Sequence, residues 1–235
     1  VVGRLRPEHD ILDALAAAHR QGILMLFGAT LAWSTSGLFA RAIPLDTPTV
    51  ILWRGLAGAA GLLVVLWWLQ GREGFRDFAR LGVAGWAYAL CSGLGMLFFV
   101  GSLKATSIAH VAIIYATLPF VAAFLGWWVL KEPPGRAGIA AAALALAGAA
   151  VMVGLGNDGA FLGDLLAFGM VLAMAGMILI ARGRPQTPTL AAGTLSAICA
   201  PLAMAPFASL DGLDAPNLML MAAFGLINST LGFAL

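Results

Sequence analysis

Long stretches of this chain are apolar at nearly every position. They show neither the alternation of a half-buried strand nor the single stripe of a helix lying on water. Eight such runs can be drawn, at 22–43, 49–70, 81–103, 109–130, 138–156, 163–181, 190–210 and 218–235. A helix needs ~20 mostly apolar residues to cross a bilayer core, and each run approaches or meets that length. Polar, glycine-rich or proline-containing breaks separate them, among them Pro44–Pro48, Gly71–Arg80, Lys131–Ala137 and Arg182–Pro188. Backbone groups in lipid must be bonded internally, so continuous runs predict helices. The ~10-residue alternating segments of a membrane β-barrel do not fit. The pattern predicts an all-α, polytopic membrane protein.

Composition agrees: 61% of the 235 residues are hydrophobic and 10% are charged. A soluble domain has about 25% charged residues, so this chain lacks the polar residues to cover a water-facing surface. A net charge of +2, without basic runs interleaved with aromatics, excludes a nucleic-acid partner. Cys91 and Cys199 lie in separate apolar runs and form neither a CxxC pair nor a disulfide framework. Residues 1–21 differ from the rest. Pro7 can open a helix with Ile11, Leu12 and Leu15 near one face and Glu8, Asp10 and Asp13 elsewhere, which predicts a short surface helix or an arm. Its basic start runs into acids rather than an apolar core, so it is not a signal peptide.

Charge gives an orientation. Arg4, Arg6, Arg20, Arg72, Arg76, Arg80, Lys131, Arg136, Arg182 and Arg184 all fall on one side if the eight runs all cross; Arg41, Arg54 and Lys104 are left for the other. The positive-inside rule then places the N-terminus in the cytoplasm.

The chain also echoes itself. Gly28-Ala29-Thr30-Leu31-Ala32-Trp33 is matched by Gly163-Asp164-Leu165-Leu166-Ala167-Phe168. Thr47-Pro48-Thr49 is matched by Thr187-Pro188-Thr189, and Ser92-Gly93-Leu94-Gly95 by Ser229-Thr230-Leu231-Gly232. The offsets are 135, 140 and 137. The first run thus pairs with the sixth, and the unit is five helices. An odd unit must re-enter the membrane from the opposite face, giving an inverted repeat, an architecture of transporters. The expected division is a first repeat at 22–156 and a second, incomplete one at 163–235. Ten helices are expected in the native chain and about eight are present, so the sequence is expected to be truncated.

These features carry a family resemblance. Trp33-Ser34 in the first run, Arg54 early in the second, Pro119 in the fourth, the Lys131-Glu132 exit and the Gly- and Ala-rich fifth run appear in order. The second copy then opens with Gly163-Asp164-Leu165-Leu166-Ala167. Over residues 22–235 the chain resembles the EamA-type members of the drug/metabolite transporter superfamily, with ten helices in two five-helix repeats. Within that family it is most similar to bacterial exporters of amino acids, of the aromatic amino-acid type. The resemblance implies a multi-pass protein of the bacterial inner membrane.

Several residues could serve a solute. Trp33, Ser34, Thr35 and Ser36 sit mid-membrane, where hydroxyls either bond their own helix or line a cavity. Phe168, at the echoed position, is expected on the opposite wall. Tyr88, Ser92, Gly95 and Phe99 follow at steps of 4, 3 and 4 on one helix face. Asn228 and Ser229 form the echoed polar cluster of the eighth run and either line the cavity or bond between helices. Tyr115 lies before Pro119, which kinks its helix and frees a carbonyl. His110 is expected at the outer mouth or as an interfacial residue. Arg54 either snorkels outward or pairs with Asp46, a structural role, or it meets a substrate carboxylate. Trp33, Tyr88, Ser92, Tyr115, Phe168 and Asn228 are expected to line one central cavity.

No Asp or Glu lies in the middle of a run, so the usual proton-coupling carboxylate is missing. HExxH, a P-loop and metal-ligand spacings are absent, and Ser36 lacks the preceding glycine of a nucleophile elbow. No enzyme, cofactor, metal or obligate protein partner is expected. The expected function is export of amino acids or related small metabolites by alternating access. A drug or other metabolite carrier, a passive channel and a membrane assembly subunit are the alternatives. A nucleotide-sugar carrier needs several cavity cations, and only Arg54 is available.

Overall fold

A computed structural model describes residues 7–133, 135–155 and 161–231. Arg4, Arg6 and Gly232, named above, lie outside the described residues. The described residues form helices joined by short connections: α1 (Pro7–Ser34), α2 (Ser36–Ala42), α3 (Thr47–Asp77), α4 (Gly82–Ala105), α5 (Ile108–Tyr115), α6 (Leu118–Leu130), α7 (Arg136–Leu155), α8 (Phe161–Gly183), α9 (Thr189–Met204) and α10 (Ala215–Phe224). A π-helical segment, Gly225–Leu231, continues α10. Six stretches are long and apolar enough to cross a membrane: His19–Ala42, Thr47–Arg80, Gly82–Ala105, Ile108–Leu130, Phe161–Gly183 and Thr189–Phe207. The fifth and eighth runs are occupied by α7 and by α10 with its π segment.

Two expected boundaries change. Residues 7–20 are not a separate surface helix but continue directly into the first run as one 28-residue helix. The first and fourth crossings are each broken, between α1 and α2 at Thr35 and between α5 and α6 at Ala116–Thr117. The second break follows from Pro119, which cannot donate to residue 115 and so lets Thr117 restart the helix. Phe120 and Val121 donate to the Thr117 carbonyl.

Three helix starts are capped by side chains. Asp46 accepts from the Thr49 amide at 3.0 Å, Ser107 from the His110 amide at 3.2 Å and Asp214 from the Asn217 amide at 2.9 Å. Gly71 sits at φ 56°, ψ −135°, where α3 kinks. Only glycine adopts that backbone without strain.

In lipid no hydrophobic force drives helices together, so close packing falls to small residues. Gly55, Gly58 and Gly61 make a smooth track along α3. A Cβ on Gly55 would strike Pro201 of α9, one on Gly58 would come 2.6 Å from Ser229 Cβ, and one on Gly61 would meet Thr230. Gly225 is pressed on the Arg54 carbonyl in the same way. The π segment is thus seated directly on α3. Elsewhere α4 packs along α8 and α9, while α5 and α6 cover α8 and α7 lies against α5 and α6.

The outside of the bundle is apolar, as lipid requires. Trp67, Trp68, Trp86, Trp127 and Trp128 are exposed close to the ends of α3, α4 and α6, near Arg72, Arg76, Arg80 and Lys131. Tryptophan collects at the headgroup level of a membrane, so this belt marks one interface.

Candidate functional site

Between α1–α2, α3, α4, α5, α8, α9 and the π segment lies a cavity of about 450 Å³. That is within the ~300–1,000 Å³ typical of small-molecule pockets. Of the residues singled out from the sequence, Trp33, Ser34, Ser36, Arg54, Ser92, Tyr115, Asn228 and Ser229 line it, as do Gly95 and Phe99. They come from five of the eight apolar runs.

Two expected members, Phe168 and Tyr88, stand elsewhere, and His110, expected at the outer mouth, is buried. Phe168 does not form the opposite wall; it is 46% exposed on the outside of α8. Met170, Met174 and Met177 line the cavity instead. Their steps of 4 and 3 define the inward face, and Phe168 precedes Met170 by two positions, about 200° around the helix. Tyr88 is buried one turn before Ser92, packed with Leu81, Ala191 and Ala192. The small alanines let α9 close on α4 there, so Tyr88 lies beyond the cavity. His110 is 5% exposed and faces α8, where Nδ1 lies 3.2 Å from both Asp164 oxygens. Thr106 donates to the same carboxylate at 2.9 Å. Pro119 stands outside the lining, one turn past Tyr115.

The polar wall is a helix break held from both sides. Ser34 Oγ donates to the Leu31 carbonyl at 2.8 Å, Thr35 Oγ1 to Ala32 at 2.7 Å and Ser36 Oγ to Trp33 at 2.5 Å. These hydroxyls satisfy carbonyls that the broken helix leaves short of donors. Asn228 crosses from the π segment and donates to Ser36 Oγ at 2.5 Å and to the Ala32 carbonyl at 3.4 Å. Both readings of Asn228, cavity lining and interhelical bonding, therefore apply at once. On another side the Ser92 and Ser196 hydroxyls lie 2.7 Å apart and hydrogen-bond, joining α9 to α4. The Trp33 and Tyr115 rings lie 6.2 Å apart, tilted by 47°.

Arg54 neither snorkels nor pairs with Asp46. It is 3% exposed, and Asp46 is occupied by Thr49, which donates through both amide and hydroxyl. The Phe224 ring lies beneath the guanidinium, 4.4 Å from Cζ. Such a contact offers up to about 2 kcal/mol. A mid-membrane arginine costs about 2.5–3.5 kcal/mol on the gentler scale, so the ring alone does not balance it. Nε and Nη1 of Arg54 and Nε1 of Trp33 are buried without an acceptor among the described residues. Among the described residues no Asp or Glu belongs to the lining.

The sequence reading missed the methionine face of α8, although the spacing of Met170, Met174 and Met177 was there to be read. It also missed Ser196, whose hydroxyl gains meaning only once α9 meets α4.

Residues 20–154, more than half of the chain, match the family model described as the EamA-like transporter family. The chain belongs to that family, whose members are membrane transporters of small solutes. No curated protein matches it.

Proposed function

We propose that this EamA-family transporter exports amino acids or related small metabolites, with aromatic or apolar side chains favoured, by alternating access through the central cavity. The observation that carries the reading is the cavity itself: methionine and aromatic walls with a few fixed polar groups, drawn from both parts of the sequence. An apolar body suits the former, and the charged end of a metabolite suits the latter. The lining residues Trp33, Ser34, Ser36, Ser92, Tyr115, Asn228 and Ser229 are the proposed contacts, with Arg54 beside them.

The proposed inverted repeat, 22–156 against 163–235, is supported by the packing pattern. Exchanging the first crossing with the sixth, the second with the seventh and the third with the eighth maps the most extensive packings among these six onto one another. The α4–α8 contact corresponds to that of α1–α2 with α10 and the π segment; α3 on the π segment corresponds to α9 on α4; and α3–α9 maps onto itself. Such a pseudo-two-fold suits two halves that close alternately around one site. The proposed setting is a bacterial inner membrane, with the N-terminus and the basic loops cytoplasmic.

Counterflow tests the proposal. Proteoliposomes containing the full chain are loaded with each of the twenty unlabelled amino acids in turn, and uptake of labelled phenylalanine is followed. A carrier gives exchange-stimulated uptake with transient accumulation, strongest with apolar and aromatic amino acids inside. Uptake that ignores internal solute would make the protein a channel, and no uptake would leave the assembly-subunit reading.

A further inference from the structure

Of the described residues lining the cavity, Arg54 alone carries a full charge, and it is the one whose bonding is least complete. Two of its three guanidinium nitrogens, Nε and Nη1, have no acceptor among the described residues, although the side chain is 3% exposed. Phe224 covers one face of the guanidinium plane, leaving the N–H groups along its edge unanswered. Trp33, which also lines the cavity, has another buried, unanswered donor in Nε1. The hydroxyls of Ser34, Ser36 and Ser196 are committed to neighbouring carbonyls.

We propose that Arg54 is the anchor of an anion site, and that its ligand is the carboxylate of a small amphipathic acid bearing one negative charge. An α-amino group on that solute is not what the cavity reads. The inference rests on the carrier reading above and, within it, favours simple acids over amino acids. A planar guanidinium edge matches a carboxylate, and a charge-assisted bond satisfies both partners. One buried cation balances one charge; a dianion such as a phosphate monoester would leave a charge unpaired in an apolar cavity. The ammonium of a zwitterion finds no carboxylate in the lining, so it restores the imbalance that the carboxylate removed. The apolar body is left to Met170, Met174 and Phe99.

The test is equilibrium binding of labelled 3-phenylpropionate to the full chain in neutral-lipid nanodiscs, competed by phenylalanine and by 3-phenylpropionamide. The acid is expected to bind saturably. Phenylalanine should compete no better than unlabelled acid, and the amide at least roughly tenfold worse, the scale of a lost bond to a charged group. Arg54→Gln should lower affinity for the acid at least about tenfold, and Arg54→Lys should lower it less. An amide that competes as well as the acid overturns the proposal in the unmodified protein, whatever the variants do. So does Arg54→Gln protein that elutes as a single species and binds the acid unchanged, or an absence of saturable acid binding. Phenylalanine competing tenfold better than the acid would show that the amino group is read. Counterflow with the same probes separates the two levels. Binding without exchange would remove the carrier reading and leave the anion site, whereas equal exchange of acid and amide would keep the carrier and remove the site.

Discussion

The first and sixth crossings share a sequence echo, Gly28–Trp33 against Gly163–Phe168, yet they present opposite chemistry to the cavity they both border. The first is broken at Thr35 and offers hydroxyls, a tryptophan and the carbonyls of a helix end. The sixth, α8, is unbroken over 23 residues and offers three methionine side chains. Methionine is unbranched and polarizable, so it adapts to different apolar bodies. The difference teaches that a sequence echo does not carry over to what a helix offers the cavity; the role of each face depends on its own side chains. A polar, fixed wall facing an apolar, adaptable wall is what a carrier of varied solutes with one constant polar end requires.

That contrast can be broken most severely at the seat of the polar wall. Gly58→Leu would drive a side chain into Ser229 and the Gly225 carbonyl, where even a Cβ is too close. Overpacking of this kind costs about 1–3 kcal/mol or more, and here the obstacle includes backbone. The expected result is little or no monodisperse protein after detergent extraction, measured by size-exclusion chromatography. A normal yield would mean that the π segment is not seated on α3.

Asn228→Leu should act next. It removes the strut between the π segment and the break, leaving Ser36 and the Ala32 carbonyl with one donor fewer. The expected cost is about 1–3 kcal/mol. Thermal unfolding in detergent should show the midpoint lowered by a few degrees. An unchanged midpoint would make the break self-sufficient.

Met174→Ala tests the other wall. Its side chain is half-buried at the cavity, so truncation should cost less than the ~2–5 kcal/mol of a fully buried methionine. Exchange should shift toward bulkier solutes, read as the ratio of tryptophan to valine counterflow; an unchanged ratio would mean that α8 does not shape the site. The smallest effect is expected for Phe168→Ala. On the outside of α8 it should change stability by no more than about 0.5 kcal/mol and leave exchange unaltered. A clear loss of exchange would return Phe168 to the cavity.

The same residues show what was legible beforehand. Within the described residues each apolar run holds a helix, because lipid leaves a backbone few alternatives and the signal is local. The break at Pro119 was readable for the same reason, since proline carries its own geometry. The break at Thr35 was not: Ser34-Thr35-Ser36 can continue a helix, and only Asn228, 192 residues beyond Ser36, completes the opening. Phe168 was misplaced because the echo was extended from helix position to helix face. Arg54 was drawn toward Asp46 by proximity in sequence, but Asp46 serves the start of α3 and the arginine points into the bundle. His110 met Asp164 across 54 residues, a pairing that no local pattern announces.

The central claim is that the cavity is the path of the solute, and it is tested most directly by filling it. Ala112 on α5 lines the cavity without being packed away in the core. Ala112→Trp should therefore place an indole in the open space with little disturbance of the helices. The measurement is counterflow of labelled phenylalanine in proteoliposomes containing the variant, with size-exclusion elution compared to the unmodified protein. The account predicts unchanged elution and loss of exchange-stimulated uptake. Exchange at the unmodified rate by an equally well-folded Ala112→Trp protein would contradict it.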